Sequence, residues 1–147
     1  MDPTDYQSRC LRVQILRGMG RMEEATAGAK DAIRVIKKQI EWYPDDARAY
    51  LLGMGSLIVL EDTDLAKEWL QRAITISPDD SVNFYNAACN MATLGELDKA
   101  MDYLESAIQH GAVSSDWMRN DEDLKPLRRH PRYKELLLKV KIKESVS

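Results

Sequence analysis

The sequence predicts an all-α protein: an α-α superhelix of three helix-turn-helix repeats, closed by a C-terminal capping helix. Three observations predict it. Pro44-Asp45-Asp46 and Pro78-Asp79-Asp80 are one junction written twice, 34 residues apart. Residues match by type at that offset: Tyr50 with Phe84, Met54 with Ala88, Leu57 with Met91, Ala66 with Ala100, Leu70 with Leu104, and Ala73 with Ala107. Within each unit the apolar residues recur at steps of three and four, the period of one helical face. A unit of this length cannot bury its apolar face alone, so successive units stack.

The first repeat covers about 6–46. Its first helix, about 6–19, places Val13 and Leu16 at the packing offsets, and Cys10, Leu11 and Ile15 broaden the apolar side. Arg9 and Arg12 lie on a flank that is either exposed or covered by a preceding repeat. Gly18 and Gly20 bracket the turn, where a positive φ is cheap only for glycine. The second helix starts near Met22. Ala25, Ala29, Ala32, Ile33, Ile36, Ile40 and Tyr43 share one face until Pro44 stops the helix. Pro3-Thr4-Asp5 looks like the same junction as Pro44-Asp45-Asp46. On that reading the chain opens at a repeat boundary of a longer protein; on the plainer one, Pro3 caps the first helix. The spacing from Pro3 to Pro44 is 41, seven more than 34. Seven residues add about two turns and return the stripe to nearly the same face, so the helix projects ~10 Å further and carries Trp42 and Tyr43 on the extension. Those two aromatics either pack on the next repeat or form a contact surface of their own.

The second repeat covers about 47–80. Tyr50, Gly53, Met54 and Leu57 face inward, but Leu51, Leu52, Ile58 and Val59 make the helix apolar nearly all round. Such a helix is buried on all sides or lines a binding surface. Glu61-Asp62-Thr63 makes the turn, with Asp62 or Thr63 as N-cap. Ala66, Leu70, Ala73 and Ile74 then face in, while Lys67, Glu68, Gln71 and Arg72 face water. The third repeat, about 81–111, starts with Ser81 as a candidate cap and buries Phe84, Ala87, Ala88 and Met91. Gly95 turns the chain into a stripe of Leu97, Ala100, Met101, Leu104, Ala107 and Ile108. In the cap, 112–147, Ser114-Ser115-Asp116 caps a short helix carrying Trp117 and Met118. Pro131 opens a last helix whose Tyr133, Leu136, Leu137 and Val140 face the core.

The 34-residue period, with its aromatic, small and large apolar residues at fixed offsets, resembles the tetratricopeptide repeat. The run Trp117…Asp121-Glu122-Asp123-Leu124-Lys125-Pro126-Leu127-Arg128…Pro131-Arg132-Tyr133…Leu136-Leu137 is similar to tails that close tetratricopeptide arrays in bacterial multidomain proteins, including cyclase- and kinase-linked ones. The resemblance implies a C-terminal, non-catalytic module of a larger bacterial protein, binding a peptide or partner domain.

The residues themselves bring no catalytic chemistry together. The seven glycines form no phosphate loop. His110 and His130 lack metal-spaced partners and read as a helix-end residue and a cap. Cys10 and Cys89 form no motif and read as small hydrophobes in a reducing compartment. Arg128, Arg129 and Arg132 are expected to pair with Asp121, Glu122 and Asp123. A net charge of −3 gives no bias towards nucleic acid, and no apolar run reaches the ~18 residues that span a bilayer. Met1-Asp2-Pro3 has neither the basic nor the apolar region of a signal peptide, so a cytoplasmic location is expected. No enzyme activity, cofactor or metal is expected.

One charge pattern points to a site. The first helices of the three repeats hold Arg9, Arg12, Arg17 and Arg48 and no Asp or Glu. In the resembled family these helices line the concave face. The expected groove is therefore apolar and mildly positive, formed by Gln14, Arg17, Arg48, Leu51, Leu52, Ile58, Tyr85, Asn86 and Cys89. It would take a protein or peptide bearing acidic groups. The positions matching the family's chaperone-carboxylate clamp are Cys10, Gln14, Leu52, Val82 and Asn86. Only Asn86 fits, which disfavours that ligand. The alternative function is self-association into a homodimer through the apolar second-repeat helix.

Overall fold

The structure is a computed structural model that describes residues 5–111 and 113–146. Helices α1 (Tyr6–Gly18), α2 (Met22–Trp42), α3 (Ala47–Val59), α4 (Thr63–Ile76), α5 (Ser81–Thr93) and α6 (Leu97–His110) form three successive hairpins. A short helix α7 (Ser115–Asn120), a 3-10 helix (Glu122–Leu127) and α8 (Pro131–Ser145) follow. There is no strand among the described residues. The sequence reading takes the whole as one domain. The packing divides it into two compact units, one through Pro78 and the other from Asp79, so the division falls in the turn between the second and third hairpins. Of the Pro3-Thr4-Asp5 junction, Pro3 and Thr4 lie outside the described residues; Asp5 caps α1, accepting from the Ser8 amide at 3.0 Å.

One turn closes every hairpin. The residues at the αL position are Gly20 (φ 75°), Glu61 (φ 61°) and Gly95 (φ 79°). Each donates its N–H three residues back, to Arg17, Ile58 and Ala92 respectively, and the next residue donates five back, to Leu16, Leu57 and Met91. These two bonds are the Schellman closure of a helix end. The following residue carbonyl then accepts from Ala25, Ala66 or Ala100, the first buried alanine of the next helix. Because the turn is constant, the seven extra residues of the first repeat fall within α2, which has 21 residues against 14 in α4 and α6. Trp42, at its end, is 79% exposed and Tyr43 is exposed too, so neither packs on the next repeat.

In the first unit, Asp46 joins three helices. It caps α3 through the Ala49 amide (3.2 Å), and its other oxygen accepts from the Tyr6 hydroxyl of α1 (2.9 Å) and the Gln39 amide of α2 (3.0 Å). The tightest packing is at Gly53 in α3. A Cβ there would stand 2.4 Å from the Trp69 ring and 3.1 Å from the Ile36 side chain. Trp69 is buried and meets Tyr50 edge-to-face at 5.7 Å. The inward set of α4 is thus Ala66, Trp69, Leu70 and Ala73, and Ile74 is only half-buried.

In the second unit, Asp80 rather than Ser81 caps α5, accepting from the Val82 and Asn83 amides. Ser81 is the first helical residue, and its hydroxyl donates to the Ala107 carbonyl of α6 at 2.8 Å. The α8 helix and its cap are tied to α6 by polar contacts: Arg132 pairs with Asp102 (2.7 Å) and Glu105 (2.5 Å), and the His130 ring lies 2.7 Å from the Asp98 carboxylate. Arg132 therefore does not pair with Asp121, Glu122 or Asp123, because α8 lies along the acidic side of α6. Leu137 is half-buried, while Tyr133, Leu136 and Val140 are core.

Two substitutions test these close contacts. Gly53→Ala should lower the denaturation free energy by about 1–3 kcal/mol despite the better helix former, since Trp69 has no room to swing away. Adding Trp69→Phe should recover part of that loss, the signature of direct coupling in a double-mutant cycle. Glu61→Gly should raise stability by about 1 kcal/mol, because Glu61 alone among the three turn residues carries a side chain at positive φ. An unchanged urea midpoint would contradict each.

Candidate functional site

The sequence-expected groove residues fall in both units. In the first, Arg48 is exposed, and Gln14, Arg17, Leu52 and Ile58 are half-buried. Leu51 is 1% exposed and belongs to the core. The reason is positional: it stands four residues after Ala47 and three before Met54, on the same buried line of α3, and α3 packs on α1 as well as on α2 and α4. Arg9 is not a free positive charge. Its guanidinium meets Asp31 of α2 at 2.7 Å and also donates to the Asp5 carbonyl. Arg17 buries one terminal nitrogen without a hydrogen-bond partner.

In the second unit, Tyr85, Asn86 and Cys89 are half-buried on α5. Phe84, Ala88 and Met91 carry the buried line of the helix, which turns Val82, Tyr85 and Asn86 outward. The wall opposite comes from the cap. Ser114 accepts from the Trp117 amide at 3.1 Å and starts α7. Met118 is fully buried and anchors that helix, so the neighbouring Trp117, about 100° around, is turned outward and is 55% exposed. Arg128 donates to the carbonyls of Met118 (3.1 Å) and Asp121 (2.7 Å), and the Tyr133 hydroxyl donates to the Met118 carbonyl. The α7 helix is thus clamped from behind while Trp117 looks forward.

Between α5 and α7 lies a cavity of about 670 Å³. Tyr85 and Trp117 meet in it with ring centroids 5.5 Å apart and planes at 60°. Val82, Asn86, Asp116, Asn120 and Asp121 complete most of its lining. The Tyr85 hydroxyl donates to the Asp121 carboxylate at 2.5 Å. Burial, and then that hydrogen bond, raise the Tyr85 phenol well above its ordinary range and keep it a proton donor. Tyr85 and Asn86 were expected at a site; Trp117, Asp116, Asn120 and Asp121 were not, because the cap reads as a cover. The signal available was a large aromatic beside a methionine on a helix too short to bury both.

Cys89 stands behind Tyr85, its sulfur and the carboxylates of Asp121 and Asp123 all within 4.8 Å of one another. Burial, followed by the repulsion of Asp123 and Asp121, raises the thiol strongly, so it stays protonated. Both Asp121 oxygens are already engaged, one by Tyr85 and one by the Asp123 amide. His110 ends α6 with its ring 5.2 Å from Phe84, and His130 caps α8 through the Arg132 amide, so both have structural uses.

Hairpins closed by one recurring turn, with a cleft outside the packed core, define a helical-repeat protein. Residues 56–80 match the tetratricopeptide repeat family. That stretch holds the end of α3, the Glu61 turn, α4 and the Pro78-Asp79-Asp80 junction. Repeats of this family generally mediate protein–protein interaction. No curated protein matches the chain. Among the described residues no helix is long and apolar enough to cross a membrane.

The thiols give a test of this packing. Burial pushes Cys10 up from 9.0 to about 11. A group whose proton affinity is raised by folding contributes its full stability below its unfolded value and loses it as pH rises through the folded one. Stability should therefore fall from about pH 9 upward, with the loss continuing to about pH 11. At neutral pH both cysteines should resist iodoacetamide until the chain unfolds. Rapid alkylation of either in the native protein, seen by mass spectrometry, would contradict the packing.

Proposed function

We propose that the chain is a protein-binding module and that its second unit holds an extended segment of a partner protein in the cleft between α5 and α7. The observation that carries this reading is the 670 Å³ cavity walled by Trp117 and Tyr85, an aromatic anchor on a rigidly clamped helix. The Asn86 amide, without a partner among the described residues, supplies donors and an acceptor for the segment's backbone. The resemblance of the tail supports a regulatory or scaffolding place in a larger bacterial protein. The case for an acidic partner rested on Arg9, Arg12, Arg17 and Arg48. Arg9 is neutralised by Asp31, and none of the four lines this cleft.

A second reading, self-association, finds its support away from α3, whose apolar residues are largely buried. Leu11 and Ile15 on α1 and Met19 just after its end, spaced four residues apart, are exposed in a row. Ile15→Glu should then abolish any concentration-dependent dimer seen by light scattering. A wild-type chain that stays monomeric throughout would end this reading.

The cleft is tested by panning a display library of random peptides against the full chain. Selected peptides should lose about thirtyfold or more in affinity on Trp117→Ala, the size of an interface hot spot, and keep it on Trp42→Ala. Recovery of no peptide that depends on Trp117 would overturn the proposal.

A further inference from the structure

We infer that the cleft selects a partner segment bearing a basic side chain, arginine or lysine, which lies on the Trp117 ring and brings its charge to the carboxylates of Asp116 and Asp121. This rests on the cleft being the binding site and names the chemistry of its ligand.

The charge of the lining is one-sided. Two carboxylates line the cavity and no lysine or arginine does. Neither meets a cation in the lining itself. The Asp121 carboxylate accepts from a neutral phenol and a backbone amide, which leave its formal charge in place, and the one guanidinium at this residue, that of Arg128, is bonded to its main-chain carbonyl (2.7 Å) and not to the carboxylate. Asp116 does meet Arg119, at 2.6 Å, but the carboxylate is largely in solvent, the guanidinium side chain is 44% exposed, and the two lie three residues apart on one helix. An exposed pair of that kind contributes little and yields to a better partner.

The remaining wall is aromatic and aliphatic: Tyr85, Trp117, Val82 and Val113. Charges interact more strongly beside such a wall than in open water. Tryptophan is also the best of the aromatic rings at holding a cation on its face, and the long stem of arginine or lysine covers apolar surface while its head stays polar. The other ligand classes fit worse. An acidic side chain would meet Asp116 and Asp121 with like charge. A purely apolar one would strip water from two carboxylates and return nothing for it. The basic class alone satisfies both the rings and the charges.

The test uses a Trp117-dependent peptide from the panning, synthesised with blocked ends in three forms, with arginine, norleucine or glutamate at its strongest position. Affinities for the full chain are measured by calorimetry at low and high salt. The arginine form should bind roughly tenfold tighter than the norleucine form, and the glutamate form weaker than both. Added salt should weaken the arginine form and leave the norleucine form nearly unchanged. In Asp116→Asn/Asp121→Asn the tenfold preference should shrink to less than about threefold. Asparagine keeps only one of the two acceptor oxygens that serve Tyr85 and the Asp123 amide, so the variant gives up one of those bonds; the peptide series in the wild-type chain decides the question even if that variant is unstable. Equal, salt-insensitive binding of the arginine and norleucine forms, both lost on Trp117→Ala, would overturn the basic preference and leave the cleft as the site. Failure to select any Trp117-dependent peptide would overturn both.

Discussion

The close approach of paired helices is the constraint from which the rest follows, and it is met by giving up side-chain volume. Ala25, Ala29 and Ala32 in α2, Gly53 in α3, Ala66 and Ala73 in α4, and Ala87, Ala88, Ala100 and Ala107 in α5 and α6 are all buried. Larger residues sit beside these small ones and fill what they leave. Trp69 over Gly53 is the extreme case: the largest side chain in α4 fits because its neighbour in α3 has none. A helix pair packed this tightly is a rigid platform, and a rigid platform is what a weak, side-chain-specific recognition surface requires.

The turns transmit that constraint along the chain. Each hairpin spends the same two backbone bonds and one αL residue, so the second helix always leaves with its first alanine at the crossing. Length can then vary only where nothing downstream depends on it. The α2 helix takes seven additional residues, a near-whole number of turns, and its stripe reaches the Pro44 junction in register. The cost is an end beyond the reach of α3, which leaves Trp42 in solvent. In the second hairpin Glu61 does what glycine does in the other two. The turn is fixed firmly enough by its neighbours to tolerate the strain.

Much of this was legible in the sequence, because a repeat states its own alignment. The helices, their order, the small-residue crossings and the capping of α7 by Ser114 follow from period and residue type. What escaped was set by tertiary neighbours. Trp69 was passed over because Lys67, Glu68, Gln71 and Arg72 around it mark an exposed face, and only Gly53 opposite makes room for an indole. Leu51 was placed in a groove because an all-round apolar helix gives no sign of which side a third helix will cover. Ser81 was taken for a cap by residue type, whereas Asp80 before it does the capping and frees the serine for the Ala107 carbonyl. Arg132 was paired with acids near in sequence, but α8 runs against α6, and its partners are Asp102 and Glu105.

The cleft was least legible, and the reason lies in the double use of the cap. A terminal repeat needs a cover over its apolar face, and Met118, Leu124 and Leu127, all fully buried, supply it. Polar groups from the far side then fix the cover: Arg128 and Tyr133 hold the backbone carbonyls that end α7. A six-residue helix fixed at that many points has one side left over, and that side carries Trp117, Asp116 and Asn120. Covering the core therefore orients the aromatic wall before any ligand arrives. Little ordering remains to oppose binding, which favours affinity from a small surface. In the proposed binding site, the same clamp would make recognition depend on residues that never touch a ligand. Loosening Arg128 would free the C-terminal end of α7, and Trp117 would lose its fixed angle to Tyr85 while the hairpins beneath stayed packed.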